Sequence, residues 1–335
     1  APMSTATDLG PSRSPFGPDA AARVPSSGTG LSSTGGRVAM LVVVILAVVA
    51  AFLGSGVVGG LTPVAEAAGG WLGIAIPEEY GGAGQGITEA SLLLQEIAQS
   101  GAAMNGCSAI HLTIFGMNPV VKHGSPQLRK QLLPKVVSGE LHVSFAVTEP
   151  DAGTDTSRIT TRARRDGDHY VLNGVKQFIS GAGASDCYVV MCRTADTGAR
   201  GISAVVVHKD TPGLSFGPNE KKMGWHTQPT RQVIFEDVRV PVADRLGEEG
   251  DGFRIAMKGL NGGRLNIGAC SIGGAQAALD RAVRYMGERK AFNRSLDQFQ
   301  ALQFRVADMA TELEAARSLL YRAAAKLDAK APDAT

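Results

Sequence analysis

Between residues 141 and 250 the apolar positions of this chain recur at every second residue, and on either side of that window they recur at every third or fourth. Side chains alternate across a strand and repeat every 3.6 residues around a helix, so the change of period calls for strands flanked by helices. Inside the window, "HYVLNGVKQFIS" at 169–180 carries Asn173-Gly174 between two extended runs, which predicts a hairpin turn at that dipeptide. "DCYVVMCR", "ISAVVVHK" and "RQVIFEDVRVP" are further β-branched runs separated by Gly, Pro and Asp. Together they predict a compact antiparallel β domain.

Helix signals stand before and after it. "TEASLLLQEIAQSG" opens at Thr88 and stops at Gly101, and Ser125-Pro126 supplies an N-cap and a first-turn proline for the next helix. The glycine cluster in "GWLGIAIPEEYGGAGQG" predicts a loop that approaches something closely. Near the C-terminus Leu302, Val306, Met309, Leu313, Ala316 and Leu320 step by four, three, four, three and four, the core-facing stripe of a bundle helix. Two long helices do not close a bundle, so the C-terminal domain is expected to be completed by further helices or by another chain.

Composition excludes several classes. A net charge of +2 over 335 residues gives no general attraction to nucleic acid. Cys107, Cys187, Cys192 and Cys270 form no CxxC pair and the six histidines are scattered, so neither a metal site nor a disulfide framework is expected, and a reducing compartment fits. Residues 1–36 are rich in Ser, Gly, Pro and Ala and are expected to be disordered. Residues 38–58 carry no charge and are long enough to cross a bilayer, which leaves a membrane anchor, a secretory leader or sequence foreign to the domain that follows.

Among chemical motifs, "GAGASD" at 181–186 leads into a strand rather than a helix and is a turn, not a dinucleotide fingerprint. No G-x-S-x-G elbow surrounds Ser108 or Ser271, and the carboxylate pairs Glu78-Glu79 and Glu248-Glu249 sit in glycine-rich loops as solvated groups. What remains is "FAVTEPDAGTD" at 145–155, a strand ending in hydroxyls, a proline and a glycine. Thr148, Thr154 and the amides around Gly153 suit a flat heterocycle with a pyrophosphate tail, with Phe145 and Phe178 flanking a ring; a simple capped turn is the competing reading.

"FAVTEPDAGTD", "LNGVKQFISGAG", "FEDVRVP", "EEGDGF" and "ERKAF" occur in the order and approximate spacing of the signatures of the acyl-CoA dehydrogenases, and over about residues 64–330 the chain resembles that family. "GISAVVVHKDTPGLSFG", "MGWHTQPTRQVIFEDVRVP" and "GLNGGRLNIGACSIGGA" look closest to its branched short-chain, isobutyryl-CoA type. The resemblance implies an α+β fold: an N-terminal helical domain at 61–140, a middle antiparallel β-barrel-like domain at 141–250 and a C-terminal helical bundle from 251, incomplete at 335. It implies FAD as cofactor, an acyl-CoA substrate, an electron-transfer flavoprotein as partner, and a homotetramer. It implies Phe145, Val147, Thr148, Gly153, Thr154, Phe178, Ile179 and Ser180 along the flavin, and Arg289, Phe292 and Gln300 reaching a neighbouring subunit's FAD. Thr154, Asn261 and Arg264 would meet the substrate. Ala291 and Asn293 depart from the family's usual residues there.

The resemblance leaves the catalytic base unassigned. Most members carry a glutamate in a C-terminal helix expected beyond residue 335, and others carry it just before an arginine on an earlier helix, where this chain has Gly263-Arg264. The family-like region starts near Pro63, which favours a foreign origin for residues 1–60 over an anchor, and a cytoplasmic or, in a eukaryote, mitochondrial matrix location. A flavin oxidase of the same fold, or a membrane-tethered protein that binds FAD or acyl-CoA without catalysis, is the rival reading.

Overall fold

The computed structural model describes residues 70–100 and 102–331. The disordered run and the apolar stretch expected before residue 60 lie outside them. Among the described residues no helix is long and apolar enough to cross a membrane.

Three helices come first: α1 (Ile87–Gln99), α2 (Ala103–His123) and α3 (Pro126–Val137). Eight strands follow: β1 (Val143–Ala146), β2 (Arg162–Asp166), β3 (His169–Ser180), β4 (Cys187–Arg193), β5 (Ile202–His208), β6 (Leu214–Phe216), β7 (Thr230–Pro241) and β8 (Arg245–Leu246). Two long helices close the described chain, α4 (Gly252–Glu288) and α5 (Gln300–Asp328), joined through a small hairpin of β9 (Lys290–Ala291) and β10 (Arg294–Ser295).

Helix α3 starts as its sequence predicts, with the Ser125 hydroxyl accepting from the Leu128 N–H at 3.2 Å. The cap of α1 is tertiary. Its N-cap is Gly86, which has no side chain to offer, and the carboxylate of Asp328 at the far end of α5 accepts from the N–H groups of Ile87 (2.8 Å) and Thr88 (3.0 Å) and from the Thr88 hydroxyl (2.6 Å). The amides at a helix start need partners, and here another helix supplies them.

The sheet runs β6-β7-β3-β2-β4-β5-β8, with β1 beside β4. Two expectations need correction. The β domain is not wholly antiparallel: β1 lies parallel to β4, Val143 beside Cys187 through Ala146 beside Val190. It enters the sheet from helix α3 and residues 147–186 intervene before β4, the long connection that a parallel pair requires. Asn173-Gly174 is not a turn either, because β3 passes straight through it. Gly174 has φ +145°, the register against β7 slips between Leu172 and Gly174, and a Cβ there would stand 2.7 Å from the Thr161 Cα. Asn173 and Asp237 exchange hydrogen bonds of 2.9 Å across the irregularity. It is a β-bulge, and the hairpin turn lies instead at Gly167-Asp168, between the paired Asp166 and His169.

Both faces of β4 are buried. Cys187, Val189 and Met191 join Phe145, Val206 and the apolar faces of α2, α3 and α4, while Tyr188, Val190 and Cys192 join Leu172, Val207 and Phe235 on the opposite side. The stripe on α5 is buried only at its end. Leu320 and Ala324 are covered, and Tyr321 Oη donates to Gln95 Oε1 at 2.7 Å, but Leu302 (37%) and Met309 (41%) are exposed, as are Phe304 and Leu319 beside them. The core expected along Leu302 to Ala316 is therefore only partly formed: Val306 and Leu313 are half-buried, while Leu302, Met309 and Ala316 are exposed.

Candidate active site

The C-terminal ends of β1 and β3 meet α2 at a cleft of about 390 Å³. Phe145, Val147 and Thr148 follow one strand into it, Phe178, Ile179 and Ser180 the other, and Gly153 and Thr156 edge the loop between. Hydrogen bonds to the β1-side backbone hold the two strand ends together. The Gln177 N–H donates to the Thr148 carbonyl at 2.8 Å, and the Lys176 ammonium donates to the Val147 carbonyl at 3.0 Å.

Lys176 is 0% exposed and forms an ion pair with buried Glu149 at 2.8 Å. Glu149 also accepts from the Thr160 N–H (2.6 Å) and hydroxyl (2.9 Å) and from the Thr161 N–H (2.9 Å). Burial pushes the Glu149 carboxyl up, but the adjacent ammonium and these hydrogen bonds prevail and bring it down to about 2. Burial in turn lowers the Lys176 ammonium, with Glu149 opposing. A buried charge pair is tolerated only when such bonds satisfy it, and this one ties the "TEP" turn to the strand that carries Phe178 to Ser180.

Aromatic groups dominate the other walls. The Phe115 and Phe145 rings lie 4.6 Å apart, and His111 stacks on Phe115 with centroids at 5.5 Å and planes 4° apart. Burial pushes the His111 imidazole down to about 4, so it is neutral at ordinary pH. Trp225 lines the cleft from the loop between β6 and β7, where Lys222 Nζ donates to the carbonyls of Trp225 (2.8 Å) and Gln228 and to Thr230 Oγ1 (2.9 Å). Phe178 and Trp225 both hold φ at 57°. A bulky residue in that region is strained, and such strain persists where the surroundings over-determine the backbone, as at binding sites.

The residues read from the sequence divide. Phe145, Val147, Thr148, Gly153, Phe178, Ile179 and Ser180 come together in the cleft. Thr154 is exposed and stands off its wall, where Thr156 lies instead. Asn261 and exposed Arg264 hydrogen-bond to each other on α4 outside the lining, which their neighbour Leu260 joins. Arg289, Phe292 and Gln300 lie far along the chain on the exposed β9–β10 hairpin and the start of α5. Phe292 and Asn293 form the turn of that hairpin at φ 53° and 62°, a conformation asparagine tolerates in place of glycine. Sequence reasoning missed His111, Phe115, Trp225 and Leu260; the tryptophan in "MGWHTQP", a loop otherwise short of large apolar residues, was the available signal.

Family models describe the same architecture piece by piece: the acyl-CoA dehydrogenase N-terminal domain matches residues 63–140, the middle domain 144–238 and the C-terminal domain 250–335. The chain belongs to the acyl-CoA dehydrogenase family. It is 50% identical over 266 residues to isobutyryl-CoA dehydrogenase of Dictyostelium discoideum (79% of this chain, 64% of the relative). It is 46% identical over 265 residues to the Bos taurus enzyme of that name (79% and 63%), and both are named as mitochondrial. The chain thus spans slightly less than two thirds of the length of these relatives. Among solved structures, butyryl-CoA dehydrogenase from Megasphaera elsdenii superposes with a TM-score of 0.81 at 34% identity, covering 93% of this chain and 83% of that one.

FAD is the cofactor that acyl-CoA dehydrogenase membership implies, and the cleft fits its flat ring system. Aromatic and apolar faces line it, the hydroxyls of Thr148 and Ser180 stand at its strand ends, and no carboxylate among the described residues lines it to repel an anionic ligand. At the family's alternative position for the base, a Cβ on Gly263 would lie 3.1 Å from Phe115 Cδ2, so that face of α4 is shaped around the phenylalanine ring.

Proposed function

We propose that the whole protein is an FAD-dependent acyl-CoA dehydrogenase acting on a short, branched acyl thioester of the isobutyryl-CoA type, passing electrons to an electron-transfer flavoprotein. The cleft at the joined ends of β1 and β3, in a chain matched along all three family domains, is the observation that carries this reading. Phe145, Val147, Thr148, Gly153, Phe178, Ile179 and Ser180 hold the flavin, and Thr154, Asn261 and Arg264, outside the cleft lining, are the candidates to meet the acyl-CoA. Arg289, Phe292 and Gln300, exposed on the hairpin side, suit a contact with a second subunit in a homotetramer.

Bound FAD supplies the hydride acceptor. The protein's own residues do the rest. Strand-end hydroxyls and amides orient the polar edge of a ligand, and the walls of Phe115, Phe145, Leu112 and Trp225 exclude water from the acyl end, which strengthens every hydrogen bond made to the thioester carbonyl. Such bonds acidify the α-proton. His111 is the only titratable side chain in the described lining and is neutral, which supports a carboxylate base supplied by a residue that is not part of that lining. The likeness to mitochondrial relatives favours a matrix location in a eukaryotic cell.

The test is anaerobic flavin bleaching by isobutyryl-CoA in three proteins: this chain, the chain extended by a family member's C-terminal helices, and that chimera with its glutamate changed to glutamine. Bleaching is expected only in the second, since a lost general base costs about 10²- to 10⁴-fold in rate. Rapid bleaching by the 335-residue chain alone would overturn the assignment of the base.

A further inference from the structure

Three helices meet behind the cleft, and close contacts fix how they are staggered. A Cβ on Gly262 would lie 3.8 Å from Ile87 Cδ1 and one on Gly273 would lie 2.1 Å from the Gln95 carbonyl oxygen, so α1 and α4 ascend together. Phe115 meets Gly263, and the Cys107 thiol donates to the Leu94 carbonyl at 3.3 Å, so α2 descends past both. A helix rises about 1.5 Å per residue and stacks side chains four apart on one face. Ser91 is one turn above Ile87 on α1, Asn266 is three residues above Gly263 on α4, and His111 is one turn before Phe115 on the descending α2, its ring stacked on that phenylalanine. The three residues therefore converge at one level of the junction.

Each brings polar atoms sealed from solvent that no described protein group hydrogen-bonds: Ser91 Oγ, His111 Nδ1, and both Oδ1 and Nδ2 of Asn266. Ser91 and Asn266 are 0% exposed. Buried polar groups without partners are rare and unfavourable, and a fully buried asparagine with neither end bonded is rarer still. Three such residues on one level of three helices share a cause.

We propose that Ser91, His111 and Asn266 form an internal site that binds water, one or two molecules, between α1, α2 and α4. The chemistry selects water over an ion. The set holds a hydroxyl, an amide that donates and accepts, and an uncharged imidazole, with no carboxylate or ammonium to balance a charge, and a water molecule is satisfied by two to four such partners. His111 borders both compartments, since its ring also lines the cleft. Water at Nδ1 would give that ring nitrogen a partner and so shift the ring's tautomer balance, and with it what that wall presents to a ligand.

A high-resolution crystal structure of the purified protein, together with nitrogen NMR of labelled histidine, tests the site. Ordered water is expected within about 3 Å of at least three of the four polar atoms. Ser91→Ala and Asn266→Leu are each expected to shift the ring-nitrogen resonances of His111, while the distant exposed change Thr311→Ala leaves them in place. Two results refute the proposal: side chains that bond one another directly with no water between them, or His111 resonances unmoved by both substitutions. Ser91→Ala removes one oxygen only and carries the comparison alone if Asn266→Leu does not fold.

Discussion

Replacing Lys176 by methionine removes the ammonium and leaves the Glu149 carboxylate buried with only its bonds from Thr160 and Thr161. In the native protein the Glu149 carboxyl falls from 4.5 to about 2, a difference equivalent to about 3 kcal/mol in favour of the charged form. Breaking a buried pair by deleting one partner costs about 3–5 kcal/mol, so Lys176→Met is expected to lower stability by that amount near pH 7. The pH dependence gives the sharper signature. A depressed carboxyl contributes stability that is present above its unfolded value and lost as pH falls from about 4.5 through about 2, so the native protein loses this contribution in acid. In Lys176→Met the order reverses: burial now raises the carboxyl, Glu149 takes up a proton on folding, and the deficit shrinks as the pH is lowered from 7 towards 5. The double variant Lys176→Met/Glu149→Gln, with no buried charge left, is expected to recover at least half of the loss. Urea unfolding followed by circular dichroism across that pH range reads all three effects. A deficit below about 1 kcal/mol, or one independent of pH and unrelieved by Glu149→Gln, would show that the pair does not hold the strand ends as argued.

Gly174→Ala is expected to destabilise the protein by about 2 kcal/mol or more, from a strained φ and a clash with Thr161, measurable as a drop in melting temperature. Asp328→Ala removes the cap of α1 and is expected to cost about 1–2 kcal/mol, with faster amide hydrogen exchange at Ile87 and Thr88. Thr148→Val and Ser180→Ala are each expected to weaken FAD binding about fivefold, for a lost hydrogen bond of about 1 kcal/mol, in a flavin titration; unchanged affinity in both places the flavin elsewhere.

Much of this was legible in the chain. The period of two marked the sheet and the helical texture marked its flanks, because side chains alternate across a strand and repeat every 3.6 residues around a helix. The strand-end residues of the cleft were legible through "FAVTEPDAGTD" and "KQFIS", whose pattern a family carries as a unit. Positions that depend on contacts between distant segments were not. Asn173-Gly174 carries the same dipeptide whether it turns a hairpin or bulges, and only the approach of Thr161 decides. His111 and Phe115 look like any apolar helix face until α4 closes over them, and Lys176 in a strand reads as a solvent-facing residue until Glu149 meets it. The stripe on α5 showed a face that needs covering and was silent about what covers it.

The carboxylate of Asp328 reaching the start of α1 spans 240 residues of sequence. During synthesis α1 leaves the ribosome with its first amides unpartnered, and the group that bonds them is made only after the whole β domain has emerged. The strands from Val143 to Leu246 can pair with one another in the interval, whereas α1 cannot meet α4 and α5 until those helices have been made. A nascent chain stalled before Asp328 would carry strands free to pair beside an α1 whose Ile87 and Thr88 amides still lack that carboxylate.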